Sequence, residues 1–299
     1  MKSKLCISLL LLPFVLLYVF VACNKADHSN SDSTGTPTDT NTFTTNTITQ
    51  CPNAPNYGDS IIFLQPVNGQ YTVQPVNNTG VLGTYLSWPE GLDLDKNSGV
   101  INVSKSETGV RYKIAFVKKN TTDTCISQLI IGGLTYMDSI YVMDKNDTLA
   151  FPIFNTHPMG SSICDISDDT DYPDSTNAGG NNKCVFDDDV PGSKANDAKL
   201  RVRTKSGIIN LKKSLADGIF GPNLKNGDFK KIKIVYELND LSNKAKQKIT
   251  VQVMYYEKVS DIPASLKSEV RNKRNSMNSY QIVNDRPRPP LLIIVGLSQ

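Results

Sequence analysis

The feature that most limits what this chain can fold into is that it repeats itself. Tyr57 opens Y-G-D-S-I-I-F-L and Tyr136 opens Y-M-D-S-I-Y-V-M. Further on, Leu92 opens L-D-L-D-K-N-S-G-V-I-N-V-S-K-S and Leu200 opens L-R-V-R-T-K-S-G-I-I-N-L-K-K-S. The second pair aligns without a gap and keeps the leucine, an apolar residue two on, Ser-Gly, Ile-Asn and a closing Lys-Ser. A third echo sets Gln128-Leu129-Ile130 beside Gln252-Val253-Met254. Three matches in one order imply two tandem copies of a module, with domains at 51–133 and 134–262. The later copy is longer. Its Tyr-to-Leu interval is 64 residues against 35, and its Ser-to-Gln interval is 38 against 22.

The module reads as β. Ile232, Ile234, Tyr236 and Leu238 alternate with Lys231, Lys233 and Glu237, and Ile249, Val251, Val253 and Tyr255 alternate with Lys248, Thr250 and Gln252. That period of two belongs to a strand buried on one face. Ser98-Gly99 and Ser206-Gly207 sit between apolar runs, where glycine supplies the positive φ of a tight turn. The 16 prolines and 19 glycines, with abundant Thr, Asn, Ser and Asp, agree with a loop-rich all-β fold. The segments opening at Leu92 and Leu200 are therefore expected to be strands in equivalent places.

The run Pro89-Glu90-Gly91-Leu92-Asp93-Leu94-Asp95, then Ser98-Gly99-Val100-Ile101, then Gly109 and Tyr112, resembles the Ig-like and cadherin-like domains of bacterial surface proteins. Those carry P-x-G-L-x-L-D-x-x-T-G-x-I followed by a Gly and a Tyr opening the next strand; here Ser98 stands for the usual Thr. The second copy keeps only Ser206-Gly207-Ile208-Ile209. The resemblance spans about half the chain and implies two tandem Ig-like β-sandwich modules, a fold rather than an activity.

The amino terminus is an address. Lys2 and Lys4 precede an apolar stretch over residues 5–22, the pattern of a secretory signal. Phe20 is too large for ordinary signal cleavage after Ala22, and Phe20-Val21-Ala22-Cys23 resembles a bacterial lipobox, in which Cys23 is lipidated. Phe20 departs from the Leu usual there. An uncleaved anchor is the competing reading, since 18 residues just span a bilayer. Residues 23–50 are Asn, Asp, Ser and Thr with little apolar beyond Phe43 and Ile48, the composition of a flexible tether. Asn24-Lys25-Ala26-Asp27 resembles the charged motif that routes lipoproteins of the Bacteroidota to the cell surface. The implied location is the outer membrane, held by a lipid anchor.

Cys6 leaves with a signal and Cys23 carries lipid, so Cys51, Cys125, Cys164 and Cys184 remain for disulfides, with three pairings open. Zinc is disfavoured by the lack of C-x-x-C spacing. In the sandwich that the resemblance implies, the first strand runs beside and parallel to the last. Cys51 and Cys125 then lie at one end of a module, and the pairing taken is Cys51 with Cys125 and Cys164 with Cys184.

Chemistry is sought first in the insertion of the second copy. Asp165, Asp168, Asp169, Asp171 and Asp174 lie between Cys164 and Cys184, and Asp187, Asp188 and Asp189 follow. Closely spaced hard oxygen ligands suit calcium, although no D-x-D-x-D-G loop with a closing Glu is present. A solvated acidic loop held by a disulfide is the plainer reading. Charge is split along the chain, with net −9 over residues 1–193 and +12 over 194–299. The basic half would meet a polyanionic glycan, lipid phosphate, an acidic partner or the chain's own acidic insertion. Lysines on strands also serve as a wet face. Nucleic acid is disfavoured by the export address and the absence of a binding motif.

Catalysis finds few parts. His28 lies in the tether, His157 precedes Pro158 in a loop, and no G-x-S-x-G is present. Trp88 with Tyr85, and Tyr255 with Tyr256, are candidates for stacking on sugars; Trp88 beside Pro89 also reads as a packing residue. Residues 263–299 are expected to hold a basic helix over 264–277 and, after Arg286-Pro287-Arg288-Pro289-Pro290, a buried strand in Leu291-Leu292-Ile293-Ile294-Val295. The expectation is a lipid-anchored cell-envelope protein that binds, adheres or spaces without catalysing, its partner a glycan or an envelope protein. The alternative is an extracellular glycan-processing hydrolase or its accessory subunit.

Overall fold

A computed structural model describes residues 51–145, 148–164, 184–282 and 289–297. The signal, Cys23, the tether, and Asp165, Asp168, Asp169, Asp171 and Asp174 lie outside the described residues. The first module holds β1 (Ile61–Ile62), β2 (Thr72–Val73), β3 (Gly83–Trp88), β4 (Ile101–Asn102), β5 (Val110–Lys118) and β6 (Thr124–Ile131). The second holds β7 (Leu134–Tyr136), β8 (Ser139–Val142), β9 (Leu149–Ala150), β10 (Pro152–Phe154), β11 (Val185–Phe186), β12 (Ile209–Asn210), α1 (Leu211–Ala216), β13 (Phe229–Glu237) and β14 (Gln247–Lys258). Then come α2 (Ala264–Asn278) and β15 (Leu291–Leu297). The chain is all-β in class, built as two β-sandwich modules in tandem.

In the first module the sheet runs β1-β6-β5-β3, opposed by the β2–β4 ladder. Tyr112, Ile114, Phe116, Leu129 and Ile131 point inward onto Ile101 and Val103, all essentially buried. The second module has a five-stranded sheet, β11-β13-β14-β15-β8, and two short ladders, β7–β10 and β9–β12. The alternating residues of β13 and β14 named above all enter its core.

The duplication survives at the level of single hydrogen bonds. Tyr57 Oη donates to the Gly99 carbonyl at 2.7 Å, and Tyr136 Oη to that of Gly207 at 2.6 Å. Both glycines take a left-handed φ, +74° and +73°, and each lies under an aromatic ring, Tyr85 or Phe186, that a Cβ would strike. The hydroxyl of Ser106 donates to Asn102 O and accepts from Asp93 N; that of Ser214 donates to Asn210 O and accepts from Arg201 N. Leu92 and Leu200 do occupy equivalent places, but not in strands. Each segment contributes one bridge, Leu94 to Ile101 and Val202 to Ile209. The tight Ser-Gly turn returns the chain before a ladder can lengthen.

The copies differ in the middle of the main sheet. In the first, β1 pairs directly with β6, parallel, with Ile61 opposite Ile130. In the second, β15 stands between the corresponding strands, parallel to both, in the row Ile140, Ile293, Met254. Ile61 and Ile140 match in the repeat, as do Ile130 and Met254, so the added strand leaves the register of the copy intact. α2 forms the crossover from β14 to β15 and covers the outer face of this sheet. Ile262, just before the helix, and Leu266 and Val270 within it, four residues apart, meet Leu291, Ile293 and Val295, while Leu292 and Ile294 enter the sandwich core. Burial on both faces explains why this strand reads as an unbroken apolar run.

Both disulfides form as paired in the sequence reading. Cα–Cα separations are 5.5 Å for Cys51–Cys125 and 5.6 Å for Cys164–Cys184, within the usual range.

Candidate functional site

The modules meet at a polar joint. Tyr236, fully buried in the second core, places its hydroxyl 2.9 Å from Thr108 Oγ1 of the first module; it also accepts from Leu134 N and donates to Gln247 Oε1. Gly133, at the crossing, has φ +143°, and a Cβ there would lie 2.8 Å from Gln247 Oε1 and 2.9 Å from Gly109 N. Gln65 binds Leu241 O and Asn243 at 2.8 Å each, which ties a second point. Two concave sites flank this joint.

The larger is an open cleft of about 830 Å³ between the modules. One wall is the turn from Ser104 to Thr108; the other carries Asp188, Asp189, Lys246 and Lys248. The three sequence-predicted carboxylates that are described part company here. Asp187, 2% exposed, is a bracket for the loop after β11: it accepts from Ala195 N at 2.6 Å, Asn196 N at 3.0 Å and Asn196 Nδ2 at 2.8 Å. Asp189 pairs with Lys233 at 2.5 Å and Asp188 with Lys246 at 2.6 Å. The Lys233 hydrogen bond, helped by the Val190 N–H, holds the Asp189 carboxyl below the usual carboxylate range. An acid so held stays ionised at neutral pH and is a poor proton donor. Among the described residues, no group of three His, Cys, Asp or Glu side chains is arranged to hold a metal. Gln247 is buried, lines the cleft, and leaves its amide Nε2 without a partner among the described residues.

The smaller site is a pocket of about 80 Å³ where β5, β7 and the end of α2 converge. Its charged residues are Arg111, Asp138 and Lys273. The Arg111 guanidinium donates to Thr156 Oγ1 at 3.1 Å and lies 5.5 Å from the Tyr280 ring centre. Burial lowers the guanidinium pKa from its ordinary value. Asp138 is 8% exposed. Burial outweighs the nearby Lys273 and pushes its carboxyl up to about 6. Its Oδ2 lies 3.8 Å from Lys273 Nζ and accepts no hydrogen bond among the described residues. Lys273 also pairs with Glu269 one helical turn back, at 3.1 Å.

Sequence reasoning missed this pocket. Asp138 occupies the position of Asp59 in the repeat; Asp59 is exposed, whereas Lys273 of α2 and the Leu291 N–H of β15 stand against Asp138. The aromatic candidates fall elsewhere. Tyr255 faces the core and Tyr256 faces α2, so neither is open to a sugar. Trp88, paired with Lys113 across the sheet, is 37% exposed rather than packed away, and lines neither cavity. His157 lies against Tyr280, ring centres 5.5 Å apart.

No protein-family model and no curated protein matches the chain. Among solved structures, human protocadherin-24 EC1-2, Form II, covers 67% of this chain and 97% of its own, at 11% identity and a TM-score of 0.20. Drosophila N-cadherin EC1-4 covers 67% of this chain and 49% of its own, also at 11% and 0.20. The likeness of the chain to these two cadherin structures is weak.

Proposed function

We propose that this is a lipid-anchored protein of the bacterial outer membrane, facing the cell surface, that binds an extracellular glycan or an envelope protein without transforming it. Cys23 carries the lipid, residues 23–50 are the tether, and the ligand enters the cleft between the modules. The observation that carries the binding half is the joint: two sandwiches fixed by a buried hydrogen-bonded network frame a wide cleft with ionic walls. In its wall Asp188 and Asp189 are paired with Lys246 and Lys233. A hydrolase would need one of them free and protonated. Calcium is not assigned to Asp187, Asp188 or Asp189, whose oxygens are engaged by protein donors.

The test uses the full chain. Cys23→Ser is expected to release the protein from membranes; retention in the membrane fraction refutes the lipid anchor. Detergent-purified protein incubated with extracellular polysaccharides is expected to retain a ligand, to lose it with Lys105→Glu and Lys248→Glu, and to produce no cleavage. Turnover abolished by Asp188→Asn or Glu107→Gln refutes the non-catalytic reading.

A further inference from the structure

The cleft between the modules divides its charges unevenly. Of the acids in its lining, Asp188 and Asp189 are paired with Lys246 and Lys233 at 2.6 and 2.5 Å. Glu107 turns its carboxylate against Gly91, where a Cβ would lie 2.9 Å from Oε2, and that oxygen is buried. Cations are in excess. Lys105 on the wall of the first module and Lys248 on that of the second are exposed, and neither has an ion pair among the described residues. Beyond Lys248 the same face of the sheet runs on. β13 and β14 set Val235 opposite Lys248, Lys233 opposite Thr250 and Lys231 opposite Gln252. Residues two apart on a strand share a face, so Lys233 and Lys231 follow Val235 at about 7 and about 14 Å along β13. α2 packs on Ile140, Val142 and the residues of β15, and leaves Lys231, Lys233 and Thr250 exposed. Lys231 too has no ion pair among the described residues.

We propose that the cleft binds an acidic polysaccharide, a chain of uronate sugars whose carboxylates meet Lys105 and Lys248 and then Lys231 along the β13–β14 face. The inference rests on the cleft reading above and names its ligand. No aromatic ring lines the cleft, so the flat surface on which a neutral sugar or an unpaired base stacks is missing. Charge and hydrogen bonding are left to do the recognition. Lysine ammoniums are point charges on flexible stems, which suits carboxylates spaced along a chain better than one bidentate group. Ser104 in the wall and Thr250 and Gln252 beside the lysines add partners for sugar hydroxyls. Lysine is depleted from the cores of protein interfaces, which argues against a folded partner on this face.

Each of these cations contributes little alone, because an exposed ion pair changes affinity only about two- to five-fold. Three that act on one chain, with the acids of the cleft already paired or turned away, give a preference of at least about ten-fold for the charged polymer over the same polymer with its carboxylates esterified. Because the lysines are exposed, salt screens them, and the preference shrinks as ionic strength rises.

The experiment titrates polygalacturonate, its fully methyl-esterified form, dextran and duplex DNA into the full chain by calorimetry, at about 50 mM and about 500 mM salt. Polygalacturonate is expected to bind at least about ten-fold more tightly than the esterified form at the lower salt, and to lose most of that margin at the higher. Lys105→Gln, Lys248→Gln and Lys231→Gln should each weaken it about two- to five-fold. Arg271→Gln and Arg274→Gln remove the same charge from α2, outside the cleft, and should leave it unchanged. Equal binding of the charged and esterified polymers overturns the inference and leaves the cleft reading standing. Duplex DNA bound as tightly as polygalacturonate overturns the assignment to a polysaccharide, and an equal loss in the α2 variants overturns it by showing that net charge alone acts. No binding of any polysaccharide overturns both this inference and the cleft as a glycan site.

Discussion

The matched tyrosines allow the duplication to be weighed in free energy. Tyr57→Phe and Tyr136→Phe each delete one oxygen and leave ring packing unchanged. Each strands the carbonyl of a buried turn glycine that had accepted at 2.7 or 2.6 Å. A hydrogen bond contributes about 1 kcal/mol net, and a buried acceptor left unpaired costs about 1–3 kcal/mol. The surroundings of the two turns decide where in that range each falls. Around Gly99, itself buried, Ser98 is exposed and Val100 half-buried, so solvent lies close to the orphaned oxygen. Around Gly207, Ser206 is 0% and Ile208 3% exposed, so it does not. Burial also raises the pKa of both phenols, most for the fully buried Tyr136, which marks the drier site. The expected losses are about 1 kcal/mol for Tyr57→Phe and about 2–3 kcal/mol for Tyr136→Phe. In a unit of this size that is a fall in Tm of about 2–4 °C and about 5–10 °C. The double variant should lose the sum to within about 0.5 kcal/mol, because the two sites share no partner. Urea unfolding followed by fluorescence and by circular dichroism measures all three. A Tyr136→Phe loss below that of Tyr57→Phe, or no loss in either, would refute the argument that turn burial sets the cost.

The Cys51–Cys125 bridge spans 74 residues and Cys164–Cys184 spans 20; from loop entropy, removing the first should cost about 4–5 kcal/mol and the second about 3 kcal/mol. Equal losses in paired Cys→Ser variants would contradict that ordering. Asp138 has its carboxyl raised to about 6 in the folded chain, so the folded state binds the extra proton and stability rises as pH falls from about 6 towards 4. Asp138→Asn should remove that rise and stabilise the protein at pH 7.5 by up to about 3 kcal/mol; unchanged unfolding curves at pH 7.5 and 4.5 would count against it. Gly133→Ala forces a side chain into φ +143° and against Gln247, with an expected loss of about 2–3 kcal/mol and two unfolding transitions where the parent shows one; a single unshifted transition would show that the crossing tolerates a side chain.

Much of the fold was legible because its signals are local. The Ser-Gly turns, the alternation of β13 and β14 and the paired tyrosines lie in short windows, and each recurs in the structure. The place of β15 was not legible. Parallel pairing leaves no mark in the neighbouring sequence, and the run at 291–295 declares burial on two faces without naming a sheet. Leu92 and Leu200 misled because a two-sided apolar pattern fits a bridge as well as a strand. The acidic insertion drew attention by composition, yet Asp187 is a loop bracket and its two neighbours are ion-paired. The small pocket gathers Arg111, Asp138 and Lys273 from distant parts of the chain with no common spacing, and the groups against Asp138 include Lys273 and Leu291, each more than a hundred residues away.

The position of β15 separates the order of synthesis from the order of assembly. The first sandwich has every strand it needs once residue 131 has been made. The second waits for residues 291–297, the last of its strands to be made and one of the inner ones. Until they arrive, β8 and β14 have the option displayed by the first copy, direct parallel contact with Ile140 beside Met254. A nascent chain that takes that option closes its sheet early and must reopen it, so the final strand arrives as a wedge rather than as an edge.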